Sequence, residues 1–216
     1  MKKQVLLAAV IFTLATPASA QVTEVRLGTN IHDINWTGQG NGEAKERSIA
    51  INGEIVFKDP EFLKWAFSPR PYVGGSLNLG GETSYGGGGL LWRQTFGEKF
   101  YIDGSFGGVI HTGTREVKAS PLVQSVIDGE TVQTDLSPGE SAQFVSELAE
   151  FRGRQASEID FGTRLLFRQQ LALGYRWTDK WAMEVFVEHL SNGRVFTPNR
   201  PNEGLDNVGF RASYHF

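Results

Sequence analysis

The most constraining feature of this sequence is an alternation of apolar with polar or small residues, which recurs in segments of about ten residues. In the last segment Val208, Phe210, Tyr214 and Phe216 belong to the apolar set. Successive side chains of a β-strand point to opposite faces, so each segment predicts a strand with one apolar face. Eight such segments can be recognised, at about 22–36, 46–58, 70–80, 84–96, 99–113, 160–177, 181–192 and 205–216. The chain is therefore predicted to be all-β.

The residues on the polar faces decide between a soluble β-sandwich and a membrane barrel. They are Arg, Glu, Asp and Asn, together with many of the 26 glycines, including the run from Gly86 to Gly89. These residue types suit the narrow, side-chain-filled lumen of a small barrel. In a soluble sheet the same glycines would weaken the strands. We therefore expect one eight-stranded antiparallel transmembrane β-barrel with its apolar faces toward lipid.

The N-terminus has the features of a secretory signal peptide. Lys2 and Lys3 precede an apolar segment that runs from Val5 to Leu14, and residues 18–20 form a small-residue cleavage site. The sequence thus predicts a signal peptide over 1–20 and a barrel over 21–216. The aromatic C-terminal residue, Phe216, resembles the terminal signal of outer-membrane proteins, so we expect the bacterial outer membrane as the location.

Composition excludes several classes of function. The chain has no cysteine, which rules out disulfides and thiolate zinc sites. Its formal net charge is −3 and it has no block of basic residues, so a nucleic-acid partner is not expected. No metal-binding motif such as His-Glu-x-x-His is present, and we expect neither a metal nor a cofactor.

The lengths of the connections predict which end of the barrel faces outward. Outer-membrane barrels have short periplasmic turns and longer extracellular loops. The connections at 97–98 and 178–180 are short, whereas the polar segment at about 114–159 is long. We therefore place 114–159 outside as a long extracellular loop. The connection at about 59–69 is longer than a turn, and a short helix is expected there.

The seventh predicted strand carries the candidate chemistry. Residues at odd positions from Trp181 to Ser191 share one face, which is apolar except for His189 and Ser191. The opposite face carries Glu184 and Glu188. A serine two residues from a histidine on one strand face can come within hydrogen-bond reach of it, as nucleophilic catalysis requires. If that face looks at lipid, the pair is aimed at a lipid substrate.

A carboxylate beside the histidine would complete the arrangement. Glu203 stands just before the final strand, which is expected to pair with the seventh strand, so the hairpin can bring Glu203 next to His189. Such a carboxylate orients the imidazole and stabilises its cation. The predicted set is thus Ser191 as nucleophile, His189 as base and Glu203 as the orienting acid.

The segment Phe186-Val-Glu-His-Leu-Ser-Asn192, followed by Asn199, Glu203 and a terminal aromatic strand, resembles the lipid A 3-O-deacylase (PagL) family. The resemblance is specific over about 181–216. It implies an eight-stranded outer-membrane barrel that hydrolyses the ester-linked acyl chain at the 3-position of lipid A, with His189, Ser191 and Glu203 as the catalytic residues. The 114–159 segment looks longer than the corresponding loop of the family.

The resemblance also suggests substrate-binding residues. The asparagine of the family's oxyanion region corresponds to Asn199, and backbone amides near Asn192 and Gly193 are further candidates to hold the oxyanion. Arg194 and Arg200 are candidates to bind lipid A phosphates, because a guanidinium group matches phosphate bidentately.

Two other functions remain open from the sequence alone. One is a lipid acyltransferase, which would use the same residues with a different acceptor. The other is a non-enzymatic barrel, such as an adhesin or structural protein, that acts through its long outer loop. The expected partners are lipid A or lipopolysaccharide and membrane lipids. A homodimer is compatible with the resemblance, since members of the family can dimerise. Mass spectrometry of lipid A would separate these functions.

Overall fold

The computed structural model describes residues 21–38, 43–195 and 201–216, so the predicted signal peptide lies outside the described residues. Eight strands form a closed antiparallel barrel in which each strand pairs with the next and the last pairs with the first. This confirms the predicted fold class. The strands are β1 (Val22–His32), β2 (Ser48–Phe57), β3 (Arg70–Asn78), β4 (Tyr85–Phe96), β5 (Phe100–His111), β6 (Leu165–Arg176), β7 (Trp181–Ser191) and β8 (Leu205–His215).

The outer wall of the barrel is apolar, as the alternation predicts. Leu27 is 64% exposed, Leu171 56% and Phe210 48%, which in lipid is the favourable environment for these side chains. Near the chain termini the rings of Trp181, Tyr214 and Phe216 contact one another at centroid distances of 5.0 and 5.1 Å. Aromatic residues of this kind form a girdle at the membrane interface. Closure of the sheet leaves no unpaired strand edge in the hydrocarbon.

A network of charged residues fills much of the barrel interior, beside two smaller clusters of buried apolar side chains. Arg26, Arg168 and Arg211 are almost completely buried. Glu54 contacts all three guanidinium groups, at 3.3, 2.7 and 2.8 Å respectively. Glu184 contacts Arg211 at 2.5 Å from the neighbouring strand. Buried charges of both signs can be accommodated only when they are paired and hydrogen-bonded in this way.

Two glycines make room for aromatic rings in the same interior. A Cβ atom on Gly174 would lie 2.1 Å from the Tyr101 ring, and one on Gly209 would lie 2.3 Å from Phe186. Each ring therefore packs directly over the backbone of an adjacent strand. This close approach gives the interior glycines a packing role in a lumen that is filled by side chains.

The β5–β6 connection contains helices, where the sequence analysis expected a loop. They are α1 (Pro121–Ile127) and α2 (Pro138–Ser157), and β6 begins at Leu165 rather than near residue 160. The start of α2 is a capping box, in which Ser137 accepts a hydrogen bond from the Glu140 amide and the Glu140 side chain accepts one from the Ser137 amide. The Ser-Pro-Gly-Glu sequence carries this signal, so α2 was recognisable from the sequence.

The remaining connections fit the two ends of an outer-membrane barrel. The β4–β5 and β6–β7 connections are short, and the β2–β3 connection holds a 3₁₀ helix at Glu61–Ala66, where a short helix was expected. That helix lies against the barrel, since Trp92 Nε1 donates to Ala66 O at 2.9 Å. Among the described residues no helix has the length and hydrophobicity that a membrane-spanning helix needs. We call the opposite end, with the β1–β2, β3–β4, β5–β6 and β7–β8 connections, the outer rim.

Candidate active site

His189 lies on the outer wall of the barrel, close to the outer rim. It shares a face of β7 with Val185, which is 54% exposed, whereas Glu184 and Glu188 on the other face are buried inside. The β7–β8 register places His189 directly opposite Asp206. His189 Nδ1 lies 2.6 Å from Asp206 Oδ1, with 15% and 2% of the two side chains exposed. A carboxylate therefore holds the imidazole in one orientation on the lipid-facing wall.

The β1–β2 connection covers Asp206 from above. Thr37 donates to Asp206 Oδ2 from its backbone N–H at 2.9 Å and from its hydroxyl at 2.5 Å. The Ile34 amide donates to the backbone carbonyl of Asp206 at 2.8 Å. A buried carboxylate is costly unless it is hydrogen-bonded, and these contacts satisfy Asp206 on the side away from His189.

The position expected for Glu203 beside the imidazole is occupied by Asp206. Glu203 instead places both carboxylate oxygens 2.7 Å from Lys45 Nζ and accepts a hydrogen bond from the Asp160 amide at 2.8 Å. Gly204, with φ of +70°, separates Glu203 from the start of β8. The left-handed residue turns the chain, so Glu203 lies among the connections of the outer rim and Asp206 lies on the strand opposite His189.

Ser191 is the last residue of β7 and is 7% exposed. It has the same strand parity as His189 and therefore belongs to the outer face. Within the part of the chain that the structure describes, no hydrogen bond joins Ser191 Oγ to the imidazole. In hydrolases without substrate this contact is often long and tightens only when the substrate binds.

The turn after β7 is held by Asn192. Its backbone N–H donates to Asn202 Oδ1 at 3.0 Å, its side-chain amide donates to Phe161 O at 2.8 Å, and its Oδ1 accepts from the Arg194 amide at 2.6 Å. Gly193 and Arg194, at φ of +59° and +56°, are exposed at the rim. Asn192 thus acts as an anchor in this structure. Asn199 and Arg200 lie outside the described residues.

A cavity of about 490 Å³ lies on the outer wall and ends at His189. It is predominantly apolar and crosses from β4 to β7, and Gly104 opens its floor because it has no side chain. The side chains that shape it include Trp36, Trp92, Phe106, Leu171 and Val187. A groove of this size on a lipid-facing surface can hold a hydrocarbon chain next to the histidine.

Buried acids also tie the connections of the outer rim together. Glu46, just before β2, accepts hydrogen bonds from the amides of Thr83 and Ile159 at 3.1 and 3.2 Å. Burial disfavours its ionised form, but these bonds and one from His32 outweigh burial and hold the pKa of Glu46 below its usual value. An ionised carboxylate therefore joins the β1–β2, β3–β4 and β5–β6 connections. In the described residues no acid–histidine cluster is suited to a metal.

Asp206, Thr37 and Trp36 were missed by the sequence analysis. Asp206 did carry a signal, because it shares the apolar parity of β8 with Val208 and Phe210, just as His189 shares that of β7. Two charged or titratable residues on the lipid-facing parity of paired strands are a mark of function in a membrane protein. Thr37 and Trp36 had no comparable signal, because they lie in an irregular connection.

Comparisons with known proteins agree with this architecture. The family model for lipid A 3-O-deacylase (PagL) matches residues 61–215. The crystal structure of the outer membrane enzyme PagL is similar, with a TM-score of 0.53, 11% identity, and coverage of 89% of this chain and 99% of that chain.

Two further barrels show a weaker similarity. For Neisserial surface protein A the TM-score is 0.48, with 7% identity and coverage of 92% of this chain and 99% of that chain. For the N-terminal β-barrel domain of Pseudomonas aeruginosa OprF the TM-score is 0.44, with 7% identity and coverage of 92% of this chain and 100% of that chain. A search of curated protein sequences gave no significant match. At 11% identity the PagL structure supports the fold alone.

Proposed function

The chain belongs to the lipid A 3-O-deacylase (PagL) family, and we propose that Ser191, His189 and Asp206 carry its reaction. As a member of this family it is an outer-membrane hydrolase that removes the 3-O-linked acyl chain of lipid A. The family assignment favours the hydrolase over the non-enzymatic alternative.

One observation carries the residue assignment: the contact between His189 and Asp206 on the lipid-facing wall, at the end of the apolar groove. A titratable pair costs free energy where the surroundings are hydrocarbon, so its presence there needs a functional reason. The groove supplies that reason, because an acyl chain lying in it brings its ester to the imidazole. Interior charged residues do not meet this condition, since they cannot reach a lipid.

The proposed reaction proceeds through an acyl-enzyme. His189 Nε2 takes the proton of Ser191 Oγ while Oγ attacks the acyl carbonyl carbon. The bond from that carbon to the sugar oxygen then breaks, and the imidazolium returns its proton to this leaving oxygen. Asp206 stays ionised, accepts the Nδ1–H and stabilises the cation. Water, activated by His189, finally releases the hydroxy fatty acid and restores Ser191.

The other predicted site residues keep narrower roles. The donors of Asn192 already serve the turn, so we assign the oxyanion to the Gly193 N–H and the Asn199 side chain. Arg194 is exposed at the outer rim, and we assign it with Arg200 to phosphate binding, because guanidinium groups match phosphate bidentately. Glu203 positions the rim connections through Lys45.

The test is a reaction of purified protein, in detergent micelles, with hexa-acylated lipid A. Mass spectrometry should show lipid A lighter by one hydroxyacyl group and an equal amount of free fatty acid. Ser191→Ala should give neither product, whereas Ser146→Ala, an exposed serine on α2, should match the wild type. Acyl transfer would instead give an acylated second lipid without free fatty acid. Full hydrolysis by Ser191→Ala would refute the assignment.

A further inference from the structure

We propose that Thr37, in the β1–β2 connection, is a positioning residue of the active site that acts on His189 through Asp206. The inference rests on the proposed function, because it assumes that His189 is the base. Thr37 is far from the motif that suggests the chemistry, 152 positions before His189 in the chain. It would make one residue of the first outer connection a part of the catalytic apparatus.

The geometry divides the Asp206 carboxylate between two partners. Oδ1 contacts His189 Nδ1 at 2.6 Å, and Oδ2 accepts both the amide and the hydroxyl of Thr37 at 2.9 and 2.5 Å. With each oxygen engaged, the carboxylate plane cannot rotate without breaking a charge-assisted hydrogen bond. The orientation of the imidazole is therefore linked to the Thr37 side chain.

Backbone contacts make this link rigid. The Ile34 amide donates to Asp206 O at 2.8 Å, and the Asp33 amide donates to Asn207 Oδ1 at 3.1 Å. The segment from Asp33 to Thr37 is thus fixed to the start of β8 by hydrogen bonds to two successive residues of that strand. A hydroxyl held in this way can act on a catalytic carboxylate, whereas a freely moving loop could not.

The Asp206 carboxylate is buried and therefore poorly hydrated. Asp206 is 2% exposed, and Trp36, the neighbour of Thr37, lines the groove beside His189. The residue facing His189 across β6 is the uncharged Gln169. Thr37 is itself exposed, but Asp206 is buried, and loss of the Thr37 hydroxyl would leave Oδ2 with one donor fewer. The ionised carboxylate would be less stable and less well oriented.

Thr37→Val tests the inference, because valine keeps the shape and the backbone N–H and removes only the hydroxyl. We expect kcat to fall roughly tenfold, the effect of losing one hydrogen bond to a charged group, with little change in KM. The acid limb of the pH–rate profile, which reports protonation of the base, should move to higher pH, because a carboxylate with one donor fewer attracts the Nδ1 proton more strongly and favours the inactive imidazolium. Thr37→Ser should restore both the rate and the profile.

Asn35→Gly is the matched control within the same connection. It removes the hydrogen bond from Asn35 Nδ2 to Glu43 O but keeps a residue that tolerates the left-handed backbone, with φ of +45°. This variant should retain the wild-type rate and pH profile. Heat-modifiable gel mobility should show a folded barrel for all three variants.

The outcomes separate this inference from the proposed function. If Ser191→Ala is inactive while Thr37→Val keeps the wild-type kcat and acid limb, the Thr37 inference is wrong and the proposed function stands. If Thr37→Val and Asn35→Gly lose the same activity without a shift of the acid limb, Thr37 has only a structural role in the loop. If Ser191→Ala hydrolyses lipid A normally, the proposed function itself fails.

Discussion

Glu188 and His189 are adjacent in the sequence and lie in opposite environments. Glu188 points into the barrel, where it accepts hydrogen bonds from Arg168 at 2.7 Å, from Gln170 at 3.2 Å and from the Tyr85 hydroxyl. His189 points outward, where a carboxylate holds Nδ1 and the groove reaches the ring. In the interior network the carboxylates are engaged in hydrogen bonds and ion pairs with neighbouring side chains. The outer pair is oriented and still accessible to a lipid.

The difference shows how one strand can serve stability and chemistry together. Paired charges fill much of the lumen beside two small apolar clusters, and the partners of these charges are fixed by strand register. Polar groups on the outer wall gain nothing from lipid, so those retained there serve the substrate. Variants on the inner face should therefore change stability, and variants on the outer face should change rate.

The largest effect is expected from the outer face. Ser191→Ala and His189→Ala should each lower deacylation by at least about 10³-fold, because the nucleophile and base act as a unit. The double variant should be little worse than either single variant. Both should keep heat-modifiable mobility, since truncation at a lipid-facing rim leaves no interior cavity. Lipid A mass spectrometry measures the rate, and strict additivity of the two losses would argue against a shared step.

The next largest effect is expected from Asp206, and a matched change at Glu203 tests which of the two carboxylates orients the imidazole. Asp206→Asn should reduce kcat by on the order of 10²–10³, because an amide cannot stabilise the imidazolium. Glu203→Gln should change kcat by less than about threefold and should mainly weaken the contact with Lys45, which is worth about 1 kcal/mol at a partly exposed position. Steady-state kinetics on both variants decides the matter. A larger loss with Glu203→Gln would return the orienting role to Glu203.

An interior variant should lower stability and leave activity unchanged, the reverse of the variants on the outer face. Glu54→Gln removes a charge that faces Arg26, Arg168 and Arg211, so we expect a loss of about 3–5 kcal/mol in the free energy of unfolding. Urea unfolding in lipid vesicles, followed by tryptophan fluorescence, measures this loss. Activity per folded molecule should stay close to that of the wild type. A normal stability with a lost activity would break the separation of the two faces.

The smallest effect is expected at the rim. Arg194→Ala combined with Arg200→Ala should raise KM by roughly three- to tenfold on diphosphorylated lipid A and leave kcat unchanged, since exposed charge pairs contribute little. On dephosphorylated lipid A the variant and the wild type should have equal KM. The comparison of the two substrates is the measurement, and equal KM values on both would remove the phosphate-binding role.

The family resemblance supplied the histidine and the serine of the proposal, but it pointed to a different acid from the one that contacts the imidazole. The spacing to Glu203 matches the family motif, while the contact depends on the β7–β8 register and on the turn at Gly204. Register is decided by pairing along the whole strand. A motif that covers one strand and a loop cannot specify the register, although the position of Asp206 on the apolar face of β8 gave a hint.

Sequence by itself determined the strands, their two faces and the closed barrel. Side chains that face lipid must be apolar, so each membrane-spanning strand has apolar residues at alternate positions, and this pattern is visible in the sequence. It also placed His189 on the outer wall, since parity alone sets the face. Only the tertiary structure brought Asp206 to the imidazole and Thr37 to Asp206. Those contacts join residues from β1–β2, β7 and β8, and irregular connections have no periodicity from which their side-chain partners can be inferred.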